Sequence, residues 1–364
     1  MDPAIPEGDA RRPLLSSPPL DDADQNVKPT RDVEDTVLPE TASLGRNLSW
    51  TSAYILVISR IIGSGIFATP GSIVKATGSV GLALLLWIVG ALISGCALIV
   101  GLEYGCMLPR SGGDKIYLEF TYRHPRFLAS TLVAVHAVLL GFTASNCIVF
   151  GEYVLFALRI EPSEFSQKVL ALGLLTAITI VHSCFLKTGI WIQNFLGWVK
   201  VGLVLFMGLT GMYIVLFHGR MAGNTAASEG VTWDEFWKDS NWGWGTISTA
   251  LFKVSYSYTG LQNLNNVLNE VKNPVRTLKT VSLASLLTAC LLYLLVNIAY
   301  FSVVPLEEVK ESGELVAALF FEKVFGLQFG RTLLPLAIAT SAAGNVMVVT
   351  FTLVCYTFAL YSID

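Results

Sequence analysis

Three small residues, Gly63, Ser64 and Gly65, interrupt an apolar run, and a lysine, Lys200, lies inside another apolar run between Val199 and Val201. Small residues let a helix break. In lipid an unwound backbone is tolerated only where protein or a water-filled cavity satisfies its N–H and C=O groups. A break of this kind points toward a transport path. A second interrupted run, Ser255-Tyr256-Ser257-Tyr258-Thr259-Gly260, puts hydroxyls and aromatics where a spanning helix would carry Leu and Val. Two interrupted helices in separate parts of one chain are the pattern of a transporter built from repeats. An intramembrane lysine is costly and marks function. Because burial can make such a group release its proton, Lys200 is the candidate for proton coupling.

The elements that must position these residues are membrane spans. Of the 364 residues 53% are hydrophobic and 14% charged, and the mean hydropathy is +0.60, which leaves too little polar surface for a soluble globule. From Ala76 to Leu102 there is no charged side chain, long enough to cross a hydrocarbon core. The net charge of −3 is spread without a basic stripe, which argues against nucleic-acid binding. Cys96, Cys106, Cys147, Cys184, Cys290 and Cys355 all fall in apolar segments without CxxC or Cys/His spacing, so neither a disulfide framework nor a zinc site is expected. His136, His182 and His218 stand singly, and no metal or other cofactor is implied. No nucleophile–base constellation, phosphate loop or HExxH motif appears, which argues against an enzyme.

Residues 1–50 are rich in Pro, Asp, Glu and Ser, lack apolar periodicity and read as a disordered cytoplasmic tail. The remainder, 51–364, reads as one transmembrane domain of eight spans: 51–74, 81–107, 128–158, 169–186, 195–217, 246–268, 281–304 and 328–354. Arg110, Lys115, Arg123 and Arg126 after span 2, and Lys272, Arg276 and Lys279 after span 6, put those loops in the cytoplasm, and both termini with them. Arg60, one turn before the first break, and Glu103, late in span 2, form a candidate inner ion pair. Gln262, Asn263, Asn265 and Asn266 make the inner end of span 6 rich in amides, some expected to line the cavity and others to bond neighbouring helices.

Three motifs in order carry a resemblance: Ile62-Gly63-Ser64-Gly65-Ile66-Phe67-Ala68-Thr69-Pro70-Gly71, then Leu102-Glu103-Tyr104-Gly105 with Pro109-Arg110-Ser111-Gly112-Gly113-Asp114-Lys115, then Asn273-Pro274-Val275-Arg276-Thr277-Leu278. Over residues 44–352 the chain resembles the L-type amino acid transporter family of the amino acid, polyamine and organocation superfamily, and within it the fungal high-affinity methionine permeases. The resemblance implies an all-α membrane fold made of a five-plus-five inverted repeat with spans 1 and 6 discontinuous. It also implies a secondary transporter of neutral, methionine-like L-amino acids working by alternating access without sodium; the alternative reading is a non-transporting truncated permease that acts as a nutrient sensor or inhibitory fragment. A free amino acid offers a carboxylate to half-helix N–H groups and an ammonium to freed carbonyls. Ile62, Gly63, Ser64, Gly65 and Ile66 would supply the first set, and Ser255, Ser257, Tyr258 and Thr259 the second. Asn146, beside Ser145 in span 3, is the polar position on the facing scaffold.

By the same resemblance Tyr256 is a gate that closes over the substrate from outside, and the Lys200 ammonium replaces the metal ion of sodium-coupled relatives. The loop from Arg159 to Lys168 has no cysteine. No disulfide-linked heavy chain is therefore expected as a partner; the partners are the amino acid and the lipid bilayer, with the plasma membrane as the location. Family members continue past the eighth span, so the second repeat is expected to be incomplete, cut short before Asp364.

Overall fold

The computed structural model describes residues 46, 48–63, 65–122, 124–125, 128, 131–133, 135, 143–161, 163–218, 236–313, 315–330 and 332–361. Nearly all of them are helical, and the one β-type pairing among them is an isolated parallel bridge between Leu48 and Val271. The protein is an all-helical, multi-pass integral membrane protein.

Span 1 is two helices. Ser49 accepts a hydrogen bond from the Ser52 amide and starts α1, Trp50–Ile61, so Leu48, Ser49 and Trp50 belong to the folded part although the sequence places them in the tail. After Ile62 and Gly63 the chain resumes as α2, Gly65–Thr77. α1 has 12 residues and α2 has 13, each about 18–20 Å at 1.5 Å per residue, so neither half crosses a ~30 Å hydrocarbon core alone. Ser79 caps α3, Val80–Met107, by accepting from the Leu82 amide. A short helix, α4, Asp114–Thr121, follows; burial, and next the nearby Asp114 carboxylate, push its Tyr117 phenol well above the usual tyrosine range.

Of span 3 the described helix is α5, Thr143–Leu158; α6, Glu164–Cys184, and α7, Leu186–Tyr213, form spans 4 and 5. Span 6 is broken like span 1. α8, Trp244–Ser257, ends in a turn through Tyr258–Gly260, and the chain continues as a 3₁₀ segment, Asn263–Glu270. Pro274, placed where its missing N–H costs nothing, starts α9, Pro274–Val303. Two shorter helices, α10 (Leu306–Glu311) and α11 (Val316–Gly330), lead to α12, Leu333–Tyr361, which is span 8. Among the described residues six stretches are long and apolar enough to cross a membrane. Span 6 is not among them because beyond its break the chain is a polar 3₁₀ segment, and of span 3 only a shorter apolar helix, Asn146–Leu158, is described.

α12 packs on α5 and α7, α9 packs on α3 and α7, and α8 packs on α2 and α3. At the end assigned to the cytoplasm the Leu48 amide donates to Glu270 O at 2.8 Å, and the Lys272 amide donates back to Leu48 O at 2.9 Å. Ser111 and Asn269 exchange two hydrogen bonds, each amide donating to the other's side-chain oxygen at 2.9 Å. At the opposite end the Asn241 amide donates to Thr77 O at 2.8 Å, and α10 packs on α2.

Candidate functional site

The two breaks meet. Gly65, the first residue of α2, lies so close to α8 that a Cβ added there would sit 2.6 Å from Ser257 Oγ and 3.0 Å from Ser257 Cα. Only glycine fits. A Cβ at Gly63 would likewise sit 2.9 Å from Asn345 Nδ2 and 3.4 Å from Asn146 Oδ1, which brings α12 and α5 to the same junction. The pocket left there, about 320 Å³ of atom-free space continuous with solvent, is lined by Arg60, Ile61, Gly63, Gly65, Asn146, Tyr256, Ser257, Thr259 and Asn345.

Of the residues singled out in the sequence, Gly63, Gly65, Asn146, Tyr256, Ser257 and Thr259 thus line one pocket, and Ser64 lies outside the described residues. Ile62 and Ile66 are buried beside it and add backbone to the junction. Ser255 also stands beside it, its carbonyl accepting from the Tyr258 amide at 3.1 Å and from Thr259 Oγ1 at 3.3 Å. The Tyr258 side chain is buried against Trp87 and Tyr293, and its hydroxyl donates to Trp87 O at 3.3 Å.

Helix polarity gives the pocket two chemically different walls. The first-turn amides of α2 point back toward the break, as N–H groups at any helix start do, and favour an anion. The end of α1 presents carbonyls, but these are largely occupied. Ser59 O accepts from Lys200 Nζ at 2.8 Å and from Asn345 Nδ2 at 3.2 Å, and Arg60 O accepts from Asn345 Nδ2 at 2.9 Å. Ile61 O accepts from the Gly63 amide and from the Tyr293 hydroxyl, both at 2.8 Å. Tyr293 also reaches Ser257 O at 2.9 Å, so one hydroxyl ties the end of α1 to the end of α8.

Lys200 is fully buried on α7 and does not line the pocket; its ammonium is held at the back of the α1 terminus. Gly344 of α12 packs beside it: a Cβ there would sit 3.3 Å from Leu196 Cβ and in ordinary contact, 3.8 Å, with Lys200 Cε. The inner ion pair expected between Arg60 and Glu103 is absent among the described residues: Arg60 donates from Nη1 to Asn345 Oδ1 at 2.9 Å, and Glu103 is exposed. The amides after the second break face α3, with Gln262 donating to Ala97 O at 2.9 Å and Asn265 to Gly101 O at 3.4 Å. Asn345 and Tyr293 were missed as site residues. The signal for Asn345 is a single amide inside a 29-residue apolar helix; Tyr293, in a Leu-rich run, reads as core.

Two broken spans meeting at a small polar pocket are the arrangement of a membrane permease. Residues 48–362 match the family model described as amino acid permease, and the chain belongs to that family. It is 35% identical over 310 residues to the low-affinity methionine permease of Saccharomyces cerevisiae, covering 85% of this chain and 56% of the relative. It is 36% identical over 306 residues to the high-affinity methionine permease of the same yeast, covering 84% and 52%. The human b(0,+)-type amino acid transporter 1 is 30% identical over 311 residues, covering 84% and 61%. The chain spans about half the length of the yeast relatives it matches. These relatives are transporters, and the chain is a family member in the amino acid transport class, not an enzyme.

Proposed function

We propose that this chain binds a neutral, methionine-like L-amino acid where the two broken spans meet and moves it across the plasma membrane by alternating access, within a five-plus-five inverted-repeat frame. The observation that carries this reading is the convergence of Gly63 and Gly65 with Ser257 and Thr259 on a single pocket. In it the substrate carboxylate takes the first-turn N–H groups of α2, at Gly65 and Ile66, since the amides of Ile62 and Gly63 already donate to Ile58 O and Ile61 O. The ammonium takes carbonyls around Ser255–Thr259, at the end of α8 and in the turn that follows it. Asn146 orients the ligand from α5, and Tyr256 closes over it as the outer gate.

The name of the yeast relatives favours a methionine-like side chain. Lys200 supports a sodium-independent mechanism, since its ammonium already supplies the positive charge at the α1 terminus, and it is our candidate for proton coupling. The cysteine-free loop from Arg159 to Lys168 fits a carrier without a disulfide-linked heavy chain. The test is uptake of labelled methionine and leucine by cells lacking their own permeases, with surface abundance measured in parallel and sodium replaced by choline in one arm. Saturable uptake unchanged by choline is the expected result. Normal abundance with no uptake, and no methionine binding by the purified chain, overturns the reading; uptake that collapses in choline overturns its sodium independence.

A further inference from the structure

The pocket wall carries a positive charge with no acidic neighbour. Arg60 lines the pocket together with Gly63, Tyr256 and Thr259. No Asp or Glu is among the described lining residues. The nearby cation Lys200 is satisfied by Ser59 O, a carbonyl that does not neutralise it.

The guanidinium is also held in place. Asn345 donates from Nδ2 to Ser59 O and Arg60 O, which orients its amide and points Oδ1 at Arg60 Nη1, 2.9 Å away. Gly260, at φ +115°, packs against the Arg60 stem, and a Cβ there would come within 3.2 Å of Arg60 Cβ. Arginine stays protonated at any physiological pH, so this charge is permanent.

We propose that Arg60 is a specificity-determining residue that excludes amino acids with cationic side chains from the pocket. The proposal rests on the amino-acid-binding reading above and names the residue that restricts it to neutral substrates. Two like charges about 5 Å apart in an effective dielectric of about 20 repel by a factor on the order of 100 in affinity. Water in the cavity lowers that toward roughly tenfold.

The probe is S-methylmethionine, which adds one methyl group and a fixed positive charge to methionine, with norleucine as the neutral control of similar shape. Each is used to displace labelled methionine from the purified 364-residue chain. The expected result is that norleucine competes within a few-fold of methionine while S-methylmethionine is at least about tenfold weaker. Arg60→Gln shrinks that gap by roughly tenfold, whatever it does to methionine affinity, and Arg60→Lys preserves it. A native chain that binds S-methylmethionine as tightly as methionine overturns the proposal without any variant. So does an Arg60→Gln protein in which the gap persists, or one that no longer binds any of the three ligands although it is folded and monodisperse. A native chain that binds none of the three defeats the amino-acid reading itself, whereas failure of the charge filter alone leaves methionine binding intact.

Discussion

Tyr293 shows how a single hydroxyl can serve a site without facing it. Its oxygen lies 2.8 Å from Ile61 O and 2.9 Å from Ser257 O, and its ring is buried against Trp87 and Tyr258. Removing only the hydroxyl leaves the ring packing intact. The one hydroxyl proton is shared between the two carbonyls; without it Ile61 O keeps the Gly63 amide while Ser257 O is left under-satisfied, at a cost of about 1–3 kcal/mol for a buried acceptor. Tyr293→Phe is therefore expected to melt at lower temperature than the native chain and to gain less stabilisation from saturating methionine. An unchanged melting temperature would show that the bridge contributes nothing. Asn345 works in the same way on a larger set, since one amide engages Ser59 O, Arg60 O and the Arg60 guanidinium.

At the scale of elements, the site exists because two spans are each built from pieces too short to cross the membrane. α1 and α2 are held end to end across the break, and α8 meets α2 where glycine lets the backbones touch. Gly65→Ala would drive a methyl group to within 2.6 Å of Ser257 Oγ, and the nearby Ser257 Cα leaves the contact no flexible atom to yield. The two half-spans must separate. The expected consequence is a loss of methionine affinity of tenfold or more at normal membrane abundance, measured by displacement of labelled methionine; retained affinity would mean that the α2–α8 contact does not shape the pocket. The same substitution at Gly173 or Gly202, where an added Cβ meets nothing within 4 Å, is the matched control.

For the whole molecule, the all-helical membrane class and both breaks were legible because lipid imposes length and continuity, so small and polar residues inside apolar runs stand out at Gly63–Gly65 and Ser255–Gly260. What was not legible was the direction of each side chain. Tyr258 belongs to the same polar run as Ser257 but turns into the core, and of the amides expected to divide between cavity and neighbouring helices, Gln262 and Asn265 are the ones that bond α3. Arg60 and Glu103 look complementary by charge and depth, yet an uncharged partner, Asn345, takes the guanidinium from 285 residues away. Such pairings depend on helix rotation, which a uniformly apolar span such as α12 does not encode in its periodicity.

The bridge between Leu48 and Val271 has a mechanical meaning. It fastens the lead-in of α1 to the strand-like end of the 3₁₀ segment through two backbone hydrogen bonds. The inner portions of both interrupted spans are thereby yoked, and neither can swing outward while the other stays. Amide exchange reads this directly: Leu48 and Lys272, the two donors of the clasp, should lose protection with one common rate under conditions where local opening governs exchange. Separate rates would mean two independent levers.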